Sequence, residues 1–219
     1  MICSIKGKDL ASYVQKQVSL FFPDNDTIKA SNIEKYLDEV MGRLEFCFCH
    51  IDNKYYFNNN GKVLFNHLNS DHYATFLYFL SNTIWLKSKD ARIPSKIFLL
   101  NKALHGIDLF YEVSMPDIFL LVHPVGTVLG RATYGNYLSI YQGCTVGSIT
   151  GKGYPLIGEN FTMYSNSSLL GSCKIGDNVI LGSGARVINS IFDSEKTLVG
   201  QHPFVRELQN RSDTSPFFR

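Results

Sequence analysis

Residues 157–192 read IGENFTMYSNSSLLGSCKIGDNVILGSGARVINSIF, and this stretch decides the fold because its apolar residues recur every six positions. The leading positions carry aliphatic or Met side chains: Ile157, Met163, Leu169, Ile175, Leu181 and Val187. Four positions after each stand residues that are mostly small or β-branched: Phe161, Ser167, Cys173, Val179, Ala185 and Ile191. A fixed short period of this kind indicates a repeat architecture.

The period of six has a geometric meaning. Six residues supply one short strand and one tight turn, which together make one face of a triangular prism, so about 18 residues close one coil. The leading aliphatic side chains then stack inside the prism, while small residues fit its crowded corners and Gly or Asn gives the turns their backbone freedom. The pattern predicts a left-handed parallel β-helix, which is an exception to the usual right-handed crossover.

A less regular block in the same phase precedes this stretch. Its leading residues are Val122, Val128, Tyr134, Ile140 and Val146, and a loop from Ser148 to Leu156 separates the two blocks. We therefore assign residues 106–206 to the β-helix domain and residues 207–219 to a C-terminal tail.

The first half of the chain has helical spacing instead. Apolar residues recur at three and four positions from Leu10 to Phe21, and three further helices are expected to begin near Ser31, Ser70-Asp71 and Pro94-Ser95, the last ending at Gly106. The Asn58–Gly61 segment between two apolar runs predicts a short hairpin or a turn. The predicted fold class is α+β, with a mainly helical N-terminal domain at residues 1–105 that serves packing or assembly.

Composition excludes several classes of function. The 219 residues are 45% hydrophobic, and 21 Lys+Arg against 19 Asp+Glu leave a net charge of +2, which argues against a nucleic-acid-binding protein. No apolar run approaches the roughly 20 residues needed to span a bilayer, and the N-terminus is too polar for a signal peptide. Five cysteines form neither a disulfide framework nor a CxxC site, so Cys47 and Cys49 are read as packing residues rather than a redox pair. We expect a cytoplasmic protein without a membrane span.

Several motifs resemble those of the hexapeptide-repeat acyltransferases and, among them, of serine O-acetyltransferase and its relatives. They are Asp108, His123-Pro124-Val125-Gly126, Val128-Leu129-Gly130, the run Ser139–Gly147 and the later hexads. The resemblance covers about residues 105–206 and is only architectural before them. It implies transfer of an acetyl group from acetyl-CoA to a hydroxyl, with no metal. It also implies a homotrimer with sites at the subunit interfaces, which the helical half could pair into a dimer of trimers.

The resemblance assigns the catalytic roles to two residues. His123 falls on the family's general base, and a neutral imidazole near pH 7 can take the proton of an attacking alcohol. Asp108, fifteen residues earlier, falls on the family's aspartate that orients this imidazole, with Glu112 and Asp117 as local rivals.

Contacts to acetyl-CoA follow from the same resemblance. Gly147 and Ser148 would donate backbone N–H groups to the oxyanion, and Ser165 and Ser183 would lie along CoA at successive coil corners. Small corner residues are also what the fold itself requires. Arg206 could meet a CoA phosphate, with Lys152 and Arg186 as alternatives, although a lone cation is more often a solvated surface charge.

The chain departs from the serine enzymes at the positions that hold the amino acid. Val122 replaces an aspartate before the histidine, Gly153-Tyr154-Pro155 replaces Arg-His-Pro, and one residue fewer separates His123 from Gln142. A serine ammonium group needs a polar or charged partner once it is desolvated. We therefore favour as acceptor a hydroxyl of a sugar or sugar nucleotide used for surface polysaccharide, against whose ring Tyr154 could stack, with L-serine as the alternative.

Two other classes of function are weaker. A β-helix carbonic anhydrase needs three zinc-binding histidines, whereas this half of the chain offers only His123 and His202. A non-catalytic β-helix scaffold predicts no turnover of acetyl-CoA.

Overall fold

A computed structural model describes residues 1–151, 153–210 and 217–219, and its N-terminal half is helical. The helices are α1 (Gly7–Phe21), α2 (Ala30–Glu34), α3 (Leu37–Cys49), α4 (Ser70–Ser88) and α5 (Arg92–His105), with a 3₁₀ turn at Lys54–Tyr56. Helix α4 is buried along most of its length, because its neighbours α3 and α5 and the first coil of the second half surround it. None of the helices in this described part of the chain combines the length and the apolar character needed to cross a bilayer.

The predicted helices are present, but the one expected from Ser31 is divided into α2 and α3, α5 begins at Arg92 before Pro94-Ser95, and two caps differ from the prediction. Helix α2 is capped at Lys29, whose backbone N–H donates to Asn32 Oδ1 at 3.1 Å, so Ser31 is already inside the helix. Helix α4 is capped by Asn69, whose Oδ1 accepts from the N–H groups of Asp71 and His72 at 3.0 and 3.3 Å. An N-cap side chain must precede the first helical residue, and Asn69 is as good a cap as serine. Helix α5 ends as predicted at Gly106, with φ of 65°.

The predicted hairpin between α3 and α4 is reduced to one antiparallel bridge, from Phe57 to Val63. The chain then forms a strand that pairs in parallel with the N-terminus, so β1 (Ile2–Cys3) lies beside β2 (Leu64–Phe65).

The second half winds into a solenoid with three parallel faces. The first sheet contains β3 (Asp108–Leu109), β5 (Val128–Leu129), β8 (Thr145–Gly147), β11 (Ser168–Leu170) and β14 (Arg186–Ile188). The second sheet contains β6 (Thr133–Tyr134), β9 (Leu156–Ile157), β12 (Lys174–Ile175) and β15 (Ile191–Phe192). The third sheet contains β4 (Phe119–Leu121), β7 (Leu138–Ile140), β10 (Thr162–Met163), β13 (Ile180–Leu181) and β16 (Lys196–Val199), to which β17 (Arg206–Gln209) adds an antiparallel edge. The predicted fold class is thus confirmed.

The six-residue phase is confirmed in the later coils and wrong at three positions. Leu169 pairs with Val187, one coil apart and in the predicted register. In the earlier block Leu121 and Leu129 point inward instead of their neighbours Val122 and Val128. Each of those two sites has adjacent aliphatic residues, so the pattern alone does not decide which faces the core. In the last coil Phe192 pairs with Ile175, which leaves Ile191 69% exposed.

The C-terminal residues return to the helical half. Phe218 bridges to Ile51, the carbonyl of Phe217 accepts from the N–H of Asp52 at 2.8 Å, and the guanidinium of Arg219 lies 3.8 Å from the centre of the Phe57 ring. These three residues therefore connect the end of the chain to the segment that follows α3.

Candidate functional site

His123 lies in a corner of the solenoid that is longer than those above it. Leu121 pairs with Ile140 and Val128 with Thr145, so six residues (122–127) turn this corner where four (141–144) turn the next. The additional length forms a bulge in which His123 has φ of 47° and its side chain is 77% exposed. A left-handed conformation is uncommon for residues other than Gly and Asn, which makes this backbone position a candidate for function.

The imidazole opens onto a cleft of about 490 Å³ between the solenoid corner and the helical half. We call this the His123 cleft, and its lining residues come from the 3₁₀ turn, from the start of α4 and from the corner after β4. They are Asn53, Tyr55, Tyr56, Leu68, Asn69, Ser70, Asp71, Leu120, Val122 and His123. The cleft can therefore admit a small molecule beside the imidazole.

Asp71, in the first turn of α4, contacts His123 through both carboxylate oxygens. Oδ1 accepts a hydrogen bond from the backbone N–H of His123 at 3.2 Å, and Oδ2 lies 3.9 Å from its Nδ1. The Asp71 side chain is only 16% exposed, and burial raises the pKa of its carboxyl. The His123 N–H, the His123 imidazole and the Ser70 hydroxyl oppose that shift.

Ser165 and Ser183 lie one above the other at the corner above His123. Their hydroxyl oxygens are 2.9 Å apart, and Ser183 Oγ also donates to the carbonyl of Ser165 at 2.9 Å. Backbone hydrogen bonds continue this column downward. The N–H after Ser165 donates to the carbonyl of Gln142, and the N–H after Gln142 donates to the carbonyl of Val125, which lies in the bulge. The two predicted CoA contacts therefore share one edge of the solenoid with His123.

Asp108 begins β3 of the first sheet, beside the end of the corner that carries His123, where its backbone N–H donates to the carbonyl of Thr127 at 2.9 Å. Its Oδ2 accepts from Lys102 Nζ at 2.5 Å, and within the described ranges no hydrogen bond or ion pair joins it to His123. Of its predicted rivals, Glu112 pairs with Arg131 at 3.7 Å and Asp117 lines a separate pocket. The dyad of His123 and Asp108 therefore stays a prediction.

The predicted oxyanion donors are also separate from His123 within one chain. Gly147 ends β8 on the first sheet, and Ser148 follows it and accepts from the N–H of Gly151 at 3.0 Å. Tyr154 closes the same loop, where its hydroxyl donates to the carbonyl of Gly151 at 3.2 Å. These residues lie where the chain runs from the far end of the first sheet towards the second, whereas His123 lies where the chain passes from the third sheet to the first.

The predicted phosphate contacts are dispersed. Arg206 begins β17 opposite Val199, and Arg186 lies on β14, both with exposed side chains. Lys152 is outside the described residues.

Asp71 is the residue that sequence reasoning missed. The sequence presents it only as part of a helix start, 52 positions before His123. Its one available signal is an acidic residue in the first turn of a helix, which ordinarily serves the helix dipole.

Comparisons with known proteins agree with the fold. Residues 154–189 match the family described as bacterial transferase hexapeptide (six repeats). Serine acetyltransferase of Synechococcus elongatus is 31% identical over 112 residues, which is 49% of this chain and 46% of the relative. Serine acetyltransferase of Staphylococcus aureus is 29% identical over 134 residues, 58% of this chain and 61% of the relative. The chain thus spans about half to three fifths of the length of these curated relatives.

Solved structures resemble almost the whole chain. Neisseria gonorrhoeae serine acetyltransferase has a TM-score of 0.72 at 19% identity and covers 95% of this chain and 80% of its own. A serine acetyltransferase in complex with CoA has a TM-score of 0.66 at 16% identity, covering 91% and 84%. The predicted resemblance is confirmed: the chain has the fold of serine acetyltransferases, and residues 154–189 of its solenoid match the hexapeptide repeats of bacterial transferases.

Proposed function

We propose that this chain is an acetyl-CoA-dependent O-acetyltransferase whose acceptor is L-serine and whose general base is His123. One observation carries the proposal: a histidine is held on an exposed bulge, beside a cleft large enough for a small acceptor, on the same solenoid edge as the column of Ser165 and Ser183. The relatives named above support acetyl transfer, since they are serine acetyltransferases.

The chemistry needs one proton acceptor at this position. His123 takes the proton of the acceptor hydroxyl while that oxygen attacks the thioester carbonyl carbon. Collapse of the tetrahedral intermediate breaks the C–S bond, and the imidazolium returns the proton to the CoA sulfur. The products are an O-acetyl ester and free CoA.

The sugar acceptor favoured by the sequence has no support among the relatives, and the lining of the cleft favours an amino acid. The departure that argued against serine is the missing aspartate at Val122, because an ammonium group needs a charged partner. Asp71 lines the same cleft as Val122 and supplies a carboxylate there. Tyr154, expected to stack against a sugar, lies in a loop at another edge of the solenoid.

The separation of the predicted residues bears on assembly. Gly147 and Ser148 lie at the far end of the first sheet, whereas His123, Ser165 and Ser183 belong to the corner before it, and Asp108 lies beside that corner. The far end of the sheet and the corner join in one site when the first sheet of a second copy faces the corner. The predicted homotrimer with interfacial sites supplies such an arrangement and is part of the proposal.

The proposal is tested by release of free thiol from acetyl-CoA with L-serine as acceptor, alongside a panel of sugars and sugar nucleotides. The test variant is His123→Asn, because asparagine tolerates a positive φ and keeps the bulge. We expect its turnover to fall by roughly 10²–10⁴-fold if the imidazole is the base.

His202→Ala is the matched control, since His202 is an exposed histidine of the same half that does not line the cleft. It should retain wild-type turnover. A loss of only a few-fold in His123→Asn would refute the assignment of the base. Turnover with a sugar and none with serine would refute the acceptor.

A further inference from the structure

We propose that Asp71 is a positioning residue for His123, holding both its backbone N–H and the orientation of its imidazole. The inference rests on the proposed role of His123 and deepens it, because it assigns a positioning carboxylate to the helical half of the chain. This carboxylate is additional to that of Asp108, which the sequence assigns to the same imidazole.

The bulge is fixed on both sides of His123, because the N–H groups of Val122 and Gly126 donate to the carbonyls of Ile140 and Gly106 at 2.8 and 2.9 Å, whereas His123 itself has few restraints. Apart from one tight backbone contact, in which the His123 carbonyl accepts from the N–H of Val125 at 2.7 Å, the contacts of His123 in the described residues are those with Asp71. An exposed side chain loses rotamer freedom when it is fixed, so an isolated imidazole would sample several orientations. One carboxylate that holds the main chain and faces Nδ1 restricts both.

Asp71 is itself held rigidly, because α4 is anchored to the solenoid. The hydroxyl of Tyr78 donates to the carbonyl of Val113 at 2.7 Å and accepts from the N–H of Met115 at 3.0 Å. The side-chain amide of Asn82 donates to the carbonyl of Tyr111 at 2.8 Å. A site group on a packed helix is placed more accurately than one on a loop.

The charge of Asp71 has one basic neighbour. Ser70 donates to its Oδ1 at 3.2 Å, and His123 is the basic side chain that faces it among the described residues. Asp108, in contrast, is already paired with Lys102.

The test compares Asp71→Asn with Asp9→Asn. Asparagine keeps an oxygen that can accept from the His123 N–H and removes only the charge. Asp9 lies in the first turn of α1, so its replacement removes the same charge from a helix start that is outside the cleft. In acetyl transfer to serine we expect Asp71→Asn to lower kcat by about 10–100-fold with little change in the KM for acetyl-CoA. Asp9→Asn should leave kcat unchanged.

A double-mutant cycle separates positioning from a direct contact with the acceptor. If Asp71 acts through the imidazole, Asp71→Asn lowers kcat no further in a His123→Asn background, whereas any loss of contact with the serine ammonium appears in the KM for serine in both backgrounds. An equal loss in both backgrounds, or a change confined to the KM for serine, would overturn the inference. If Asp71→Asn does not fold, Asp71→Glu keeps the charge but displaces it, and should give a smaller loss of kcat.

A spectroscopic measurement tests the inference without turnover. The ring signals of His123 are assigned in histidine-labelled protein by their loss in His123→Asn. We expect these ring signals to move in Asp71→Asn and to stay in place in Asp9→Asn. Ring signals unchanged by Asp71→Asn would overturn the positioning role. Silence of the wild type across the acceptor panel would instead refute the proposed function and leave this readout intact.

Discussion

His72, beside Asp71 in α4, should make the stability of the protein fall as the pH is lowered below 7. The side chain is fully buried between the rings of Phe48 and Tyr56, with centroids 4.9 and 4.3 Å away. Its Nδ1 accepts from the N–H of Asn66 at 3.2 Å, and Nε2 has no partner within the described residues. Burial lowers the pKa of His72 from 6.5 to about 4.

The sign follows from proton binding. Between pH 6.5 and about 4 the unfolded chain carries a proton on His72 that the folded chain does not, so stability is fully present above this range and is lost as the pH falls. A shift of this size corresponds to about 3 kcal/mol over the whole range. About 2 kcal/mol of that should be lost between pH 7 and pH 5.

Urea unfolding at several pH values measures this loss. The comparison is His72→Gln, whose side-chain oxygen can still accept from the N–H of Asn66 but does not titrate. The variant should be less stable at pH 7 and should show a smaller slope of unfolding free energy against pH, by up to about 1.4 kcal/mol per pH unit near pH 5. Burial also lowers the pKa of His105 to about 4, but His105 is present in both proteins and contributes equally to both slopes. The difference between the two slopes therefore reports on His72. Equal slopes would refute the reasoning.

Two further predictions concern packing. A Cβ at Gly135 would clash with the carbonyl oxygen of Gly158 in the next coil, so Gly135→Ala should destabilise the solenoid by about 3 kcal/mol or more. Gly42→Ala, with open space on α3, should stabilise the protein by about 0.5–1 kcal/mol. Urea midpoints check both, and equal midpoints would contradict the close approach at Gly135. Removal of residues 217–219 deletes backbone hydrogen bonds to the segment after α3 and should lower Tm by about 4–8 °C for a loss of about 2 kcal/mol. A Tm equal to that of the full chain would show that the contacts of residues 217–219 with the segment after α3 do not stabilise the protein.

The fold could be predicted from the sequence because the six-residue period of the later coils continues without interruption. Leu169 and Val187 are separated by three hexads and lie directly against each other, so one period fixes a whole coil. The first coils were less accessible, since a bulge lengthens one corner and shifts the phase between Leu121 and Leu129. A search for apolar residues at every sixth position does not detect a lengthened corner when adjacent residues at both of its ends are aliphatic.

Only the part of the candidate site that lies within one local motif could be predicted from the sequence. His123 lies in a short segment that resembles the family motif, but the carboxylate beside it comes from a helix that the pattern assigns to packing. Contact between α4 and the bulge depends on how Tyr78 and Asn82 seat the helix on the first coil, and no spacing in the sequence encodes that. The sequence thus gives one acidic candidate, Asp108, which is paired with Lys102, and the fold adds a second, Asp71, which contacts His123. Since Val122 leaves the cleft without the carboxylate expected before the histidine, the charge that the proposed chemistry needs reaches the imidazole from the helical half. The helical half is then part of the site and not only a support for assembly.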